Sequence, residues 1–500
     1  MRKDEIFPYW GSCLYRHVVI FKAGSDYILD VITECMINPV PEGIGDDTMT
    51  QSVEPSQRTV NPKALFYLWF GSNLTVADFV LGVLVESFGL SFYYTIFSLL
   101  IANLFGGALV GIMAYLGPES GKGQMDISKG IFGESGGRGF SGLQFLNTIG
   151  WLTVNLIISA RALRFMITGG AAISPSEAYI LEGLTLAATM AVIIITVIYG
   201  HKSIKLFEKA MSVVLGILFL VIIVFILRSG INVAPYEAYP FSIINFTAIF
   251  MLAFSYIMSW GPYASDYSRY VKIGALNPKR AAIWTMAGVT IASFGVEMIG
   301  YLFAISLDLN GVFSNSMFVS SLGIFWILGS ITIFLGGVAA NSINLYSNMM
   351  SVRSLGFRAG RKIIVPGIAV TAIILGAVFF NTFSDYFEGF LYVLDYWITP
   401  WLGVMIAEYF FVRRKEFLAG RINWSPVMAY LLGIAVSIPF MDTIQYYFGI
   451  PIPLYGITGG SDISYFISFV AAFMFTLILE KYLRIYPVNT ASSNEDKGSI

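Results

Sequence analysis

Twelve stretches of this chain stay apolar for long enough to cross a bilayer. In lipid a backbone can satisfy its own polar groups only as a helix or a closed barrel. The stretches cover 64–86, 91–116, 141–168, 177–199, 206–228, 242–265, 281–307, 318–346, 363–381, 386–412, 424–446 and 461–483. Barrel strands need only about 9–11 residues, so runs of this length read as helices even though periodicity cannot decide the matter in segments this apolar. Charged residues make up 12% of the chain, half of the roughly 25% usual for soluble domains. The expected fold is all-α and integral to the membrane, with twelve transmembrane helices and the lipid bilayer as its surroundings.

The rest of the composition closes off other classes. A net charge of −1 offers no field for a polyanion, so no nucleic-acid partner is expected. Two cysteines (Cys13, Cys35) and two histidines (His17, His201) cannot build a metal cluster or a disulfide framework. No metal, no cofactor and no catalytic residues are expected, and no obligate protein partner is inferred. A membrane-embedded enzyme would need clustered acid–base residues, whereas the spans carry scattered single carboxylates.

Loops give the orientation. One alternate set holds Lys122, Lys129, Arg138, Lys202, Lys205, Lys209, Arg269, Lys272, Lys279 and Arg280, then Arg353, Arg358, Arg361, Lys362, Arg413, Arg414, Lys415 and Arg421. The opposite set holds Arg228. By the positive-inside rule both termini are expected in the cytoplasm, in a multi-pass protein of the cell membrane. Residues 1–60 contain no span-length apolar run and no secretory signal pattern. They read as an N-terminal cytoplasmic extension, disordered, with 1–48 standing apart as an upstream addition or absent from the natural product. Residues 61–485 are expected to form the membrane domain with its twelve spans and 486–500 a cytoplasmic tail. Gly117 to Gly123 imitates a phosphate-binding loop, but Leu116 stands where the first glycine belongs and Gly123 replaces the metal-binding hydroxyl, so no ATP site is expected. The following Gln124 to Lys129 reads as a short amphipathic cytoplasmic helix.

Polar residues inside spans carry most of the functional signal, because each is unfavourable unless paired or hydrated. The sixth span contains Ser259-Trp260-Gly261-Pro262-Tyr263-Ala264-Ser265-Asp266-Tyr267. A Gly-Pro pair removes a backbone donor and disfavours helix just before it, so the helix should open here, against protein or a cavity. A kink that only shapes packing is the competing reading. Span one contains Gly71-Ser72-Asn73-Leu74-Thr75, then Asp78 and Glu86, and permits a second break. Two breaks five spans apart are the spacing expected of inverted repeats, spans 1–5 and 6–10.

Trp151 and Asn155 lie four apart on one face of span three, and Asn341 follows a run of small residues in span eight. An ordinary helix contact with Asn as interhelical glue is the bland alternative for the first pair. Carboxamides and indoles on separate spans suit a flat, neutral heteroaromatic solute, stacked on the indoles and read by the amides.

These residues resemble the nucleobase–cation symporter family 1, which includes cytosine, purine–cytosine, hydantoin and allantoin permeases. The matches are Leu68 to Thr75, Gln124-Met125 with Phe132-Gly133, Gly150-Trp151 with Asn155, and Gly261-Pro262 with Ala264 to Tyr267. Asn341 with Leu345-Tyr346-Ser347, and Tyr396-Trp397 with Glu408 and Arg413-Arg414, complete the set, in order from about residue 55 to 415. The best likeness is to the purine–cytosine permease branch. The resemblance implies a leucine-transporter-type core of 5+5 inverted repeats, with spans eleven and twelve outside it, working by alternating access. It places the aromatic sandwich on Trp151 and Trp260 with Gly261 at the break, the base-reading amides on Asn155 and Asn341, and the closing turn on Ser72-Asn73. A serine of this turn in some relatives is replaced by Gly71, and a span-eight proline has no counterpart, with Ile343 near its place.

Sodium-coupled relatives hold the ion between span-one carbonyls and span-eight hydroxyls. Here Leu335 to Ala340 has no hydroxyl, and sodium is a hard cation that wants oxygen. Proton coupling is therefore expected over sodium, with Asp78 and Glu297 as the candidate proton carriers, since burial favours their neutral form. Capping of a half-helix by Asp78 and pairing of Glu297 with a neighbouring helix are the simpler alternatives. The expected function is secondary active import of a cytosine- or purine-type nucleobase or related heterocycle by cation symport. A hydantoin- or allantoin-type carrier, an amino-acid carrier on the same fold, and a non-transporting base sensor are the alternatives.

Overall fold

The computed structural model describes residues 52–171, 173–198, 201–230, 233–307, 326–357, 359–381, 383–412, 420–442, 444–445, 449–454 and 462–481. Among these the chain is helical, and the β structure is a single isolated bridge between Val60 and Val271. The expectations about residues 1–48, the last fifteen residues and the basic run Arg413-Arg414-Lys415 lie outside the described residues.

The helices follow the apolar segments. Span one is split into α1 (Lys63–Asn73) and α2 (Val76–Leu84), and α3 (Phe92–Ser120) is span two. A short α4 (Gln124–Phe132) precedes α5 (Glu134–Thr168), α6 (Pro175–Ile198) and α7 (His201–Ser229). After a four-residue α8 (Ala234–Glu237), span six is α9 (Ile243–Met258) and α10 (Ala264–Ser268). Then come α11 (Asn277–Leu307), α12 (Trp326–Ser354), α13 (Arg361–Phe379), α14 (Phe383–Ile406), α15 (Trp424–Ser437) and α16 (Ser464–Lys481).

Each of the twelve apolar segments thus carries a helix, but they are not equal. Eight helices among the described residues are long and apolar enough to cross a membrane, and the bent pair α1–α2 makes a ninth. α15 and α16 belong to shorter apolar helices of 10–17 residues. The short helix expected over Gln124 to Lys129 forms and runs on to Phe132.

Packing displays the repeat. Span three (α5) packs most extensively on span eight (α12) and span two (α3) on span seven (α11), and span four (α6) also meets span nine (α13). Each of these spans meets the one five further on, as two intertwined copies of a five-helix unit require. α15 and α16 pack on one another, and α16 also on α14.

Both expected breaks are present, with different geometry. In span one the helix runs through Gly71 and Ser72 and opens one residue beyond Asn73, at Leu74-Thr75, where the axis turns by 61°. Thr75 restarts it as N-cap, its hydroxyl accepting from the Asp78 amide at 3.2 Å. In span six α9 ends at Met258, and Gly261–Tyr263 form a 3-10 turn before α10. There the ladder tightens: the Trp260 amide donates to Ile257 at 3.2 Å and the Tyr263 amide to Trp260 at 3.1 Å. Pro262 supplies no donor, so the shorter ladder is the one available.

Candidate functional site

The two breaks meet at a cluster of rings. Trp69 on α1 lies edge-on to Trp260, with centroids 5.5 Å apart and planes at 70°. Trp260 is also held by Tyr263 at 5.1 Å. Trp151 on α5 packs edge-on against Tyr256 of α9, at 5.4 Å and 84°, and against Phe390 of α14, at 5.4 Å and 74°. The two expected stacking residues are therefore anchored separately, one on span three and one on span six, and no described ring contact joins them. Trp151, Trp260 and Asn155 keep 5%, 6% and 3% exposure, whereas Trp69, Asn341 and Asn344 have none. Tyr256 was not legible as a site residue. It lies four before Trp260, and its hydroxyl shares a hydrogen bond with Thr75 at the span-one break, 2.9 Å away.

The amides form a chain. Asn155 donates to the Trp151 carbonyl one turn back at 3.1 Å. Asn341 donates to the Leu152 carbonyl across the α5–α12 contact at 2.9 Å, and its own oxygen accepts from Asn344 at 3.0 Å. Asn344 in turn accepts from the Tyr263 hydroxyl at 3.1 Å. Asn344 is the residue that sequence reasoning passed over. Three positions beyond Asn341, it shares that residue's helical face and ties span eight to the broken span six.

Ser72 and Asn73 are held at the end of α1 by their own helix. Both donate to the Trp69 carbonyl, at 3.2 and 2.8 Å, and the Asn73 oxygen accepts from Ser293 of α11 at 3.2 Å. That contact leads to the acids. Asp78, in the first turn of α2, faces Ser293 and Glu297, and Glu297 accepts from Asn103 of α3. Glycines bring the acids together. A Cβ at Gly82 would collide with the Glu297 carbonyl, and one at Gly300 with the Phe79 carbonyl, so α2 and α11 touch backbone to backbone.

Asp266, beyond the break, belongs to a different network. It accepts from the Gln124 amide of α4 at 2.9 Å and from Ser347 of α12 at 2.9 Å. Gln124 accepts from the Ser265 amide at 3.2 Å, and Tyr267 donates to the Ile343 carbonyl at 2.9 Å. α10 is thereby held to α4 and α12. Outside the spans, Asp126 of α4 accepts from Ser354 at 3.3 Å with Lys129 3.8 Å away. Burial raises its pKa to about 6 against the opposing pull of Lys129 and Arg269.

Near the hydroxyl-free run of span eight, Gly336 meets the Leu74 carbonyl, which would stand 2.7 Å from a Cβ there. The Ser159 hydroxyl of span three lies against Gly337 and donates to the Phe334 carbonyl at 3.3 Å. A neighbouring helix thus brings one hydroxyl to a place where span eight has none. No group of three or more metal-ligating side chains occurs among the described residues.

Residues 52–468 match the profile of a family described as permeases for cytosine/purines, uracil, thiamine and allantoin. An inferred purine-cytosine permease of Bacillus subtilis (strain 168) is 25% identical over 448 residues, spanning 85% of this chain and 93% of its own. A purine-cytosine permease of Saccharomyces cerevisiae is 25% identical over 424 residues, spanning 79% and 76%. Among solved structures, Mhp1, a nucleobase-cation-symport-1 family transporter in a closed conformation with bromovinylhydantoin bound, superposes with a TM-score of 0.66. Its identity is 18%, with 87% of this chain and 95% of that one covered. Its inward-facing conformation gives 0.67 at 17% identity, covering 89% and 96%. The fold is that of these inverted-repeat transporters.

Proposed function

The chain belongs to the permease family for cytosine and purines, uracil, thiamine and allantoin, and on that premise we propose that it imports a nucleobase-type heterocycle by proton symport. It is a multi-pass membrane transporter that works by alternating access. The observation that carries the substrate reading is the pair of separately anchored indoles, Trp151 and Trp260, with Asn155 one helical turn from the first, all three keeping a little accessible surface in the core. A planar ring between them would gain stacking on indole faces, and Asn155 would supply donor and acceptor to the ring edge. Asn341 and Asn344 are engaged with each other and with Leu152 and Tyr263, so they set the shape of the site from behind.

The proton reading draws on Asp78 and Glu297. Two carboxyls sharing a buried site cannot both carry charge at low cost, so the pair is suited to hold a proton. Asn103, Ser293 and Asn73 complete its polar surroundings. Ser159 gives the sodium alternative one hydroxyl, which donates to the Phe334 carbonyl and keeps its oxygen lone pairs for a cation; one side-chain oxygen is fewer than sodium usually takes. The orientation that puts the basic loops and both termini in the cytoplasm is part of the proposal.

A thermal-shift panel of cytosine, adenine, hypoxanthine, uracil, hydantoin and allantoin, with and without sodium, tests the substrate class. Uptake in proteoliposomes then tests the ion. It should rise as external pH falls, collapse with a protonophore, and ignore replacement of sodium by choline. Asp78→Asn should weaken the pH response more than equilibrium binding. Uptake that saturates with sodium at fixed pH refutes the proton reading.

A further inference from the structure

Among the described acids that this account leaves unused is one on the seam of the broken first span. Glu208, in the second turn of α7, is fully buried, and neither carboxyl oxygen has a hydrogen-bond partner. It lies on the seam with α1. A Cβ on Gly71 would come within 3.1 Å of Glu208 Oε2 and 2.6 Å of its main-chain oxygen. The bare glycine is what lets the carboxyl settle against the last turn of this half-helix. α1 ends at Asn73, so its C-terminal, partially negative end is close by, which disfavours an anion. The elements packed on α7 are α1, α6, α11 and α12. Among the described residues none brings a charged or titratable group to bear on Glu208, and its neighbours Lys205 and Lys209 on α7 make no ion pair with it.

A buried carboxylate with no partner is severely penalised, so this group must hold a cation or be neutral. Sodium needs several oxygens, and no second carboxyl or other titratable side chain faces this one among the described residues. A proton needs no other ligand. We propose that Glu208 is a second proton-binding site, whose neutral form lets α1 close on α7 and whose ionisation, once water reaches the seam, favours their separation. Each half of the broken first span then has its own acid: α2 faces the Asp78–Glu297 pair, and α1 covers Glu208. In the orientation proposed above, Glu208 lies at the end of α7 that bears the basic loop, so it is the release site on the cytoplasmic side. This rests on the proton-symport reading and adds where the proton leaves.

The test uses the full chain in proteoliposomes, with the base from the panel that gives the largest thermal shift. Counterflow at equal pH requires the conformational swing but no net proton release, whereas accumulation driven by a pH gradient requires both. Glu208→Gln should lose at least 10-fold more accumulation than counterflow. Equal accumulation by variant and wild type overturns the Glu208 assignment and leaves proton symport intact. Absence of gradient-driven accumulation in the wild type itself overturns proton symport, and this inference with it. Should the variant not fold, the wild type answers directly through dicyclohexylcarbodiimide, which attacks protonated carboxyls in apolar surroundings. Peptide mass spectrometry should find Glu208 modified at pH 6, and at least 5-fold less modified at pH 8.5. An unmodified Glu208, or one labelled equally at both pH values, overturns the proposal.

Discussion

Asn341 on span eight donates its amide to the main-chain carbonyl of Leu152 on span three, 2.9 Å away and one residue from Trp151. The bond fixes the helix that carries one stacking residue against the helix that carries the amide chain, and through Asn344 and Tyr263 it extends to the turn that carries the other. Ring position and interhelical tie are therefore one structure.

Breaking that tie should be felt in both. Asn341→Leu removes the donor to Leu152 and leaves the Asn344 amide without its acceptor in a site of no exposure. A loss of about 1–3 kcal/mol is expected for stranding a buried polar group. The expected reading is a lowered melting temperature together with weakened base binding. A variant as stable as wild type would refute the role of the tie.

Trp151→Ala and Trp260→Ala should each weaken base binding by roughly 1–3 kcal/mol, the range for base–aromatic stacking. That is about 5- to 150-fold in Kd. Radioligand binding on the purified protein measures it. Unchanged affinity in a well-folded Trp260→Ala protein would return the Gly261-Pro262 turn to a packing feature.

Gly82→Ala tests the close approach of α2 and α11. Its Cβ would meet the Glu297 carbonyl, which is backbone and cannot rotate away, so a loss of about 1–3 kcal/mol from overpacking is expected. Gly216→Ala on α7 is the control, with nothing within 4 Å of its Cβ. It should be neutral, or gain up to about 1 kcal/mol from helix propensity. Melting temperatures in one detergent compare the two.

Asp126 gives a pH signature outside the spans. Its folded pKa is raised to about 6 by burial, so the folded state keeps a proton that the unfolded chain has lost. Stability from this group is present below about pH 4 and declines as pH climbs to about 6, by up to about 3 kcal/mol. Asp126→Asn should therefore melt above wild type at pH 7.5 and converge with it near pH 4. A difference independent of pH would contradict this assignment.

The sequence alone determined what lipid enforces locally. Length and apolarity assigned the helices, Gly261-Pro262 and the Gly71-Ser72-Asn73 step marked where the ladder changes, and Trp151, Trp260, Asn155, Asp78 and Glu297 stood out because polar and indole groups are unfavourable in hydrocarbon without a use. The break in span one was legible to within two residues, since the turn at Leu74-Thr75 depends on which carbonyl is capped. What the tertiary structure decided is who meets whom. Asn73 and Ser293 are 220 residues apart, and nothing in the period of either helix says that they touch. Asp78 reaches Glu297 because glycines at 82 and 300 let two backbones meet. Nothing in the sequence sets Glu208 against Gly71, which packing alone brings to it. A helix face is written in the chain's own repeat, but its partner is chosen by packing across the fold, where a missing Cβ decides how near two groups can come.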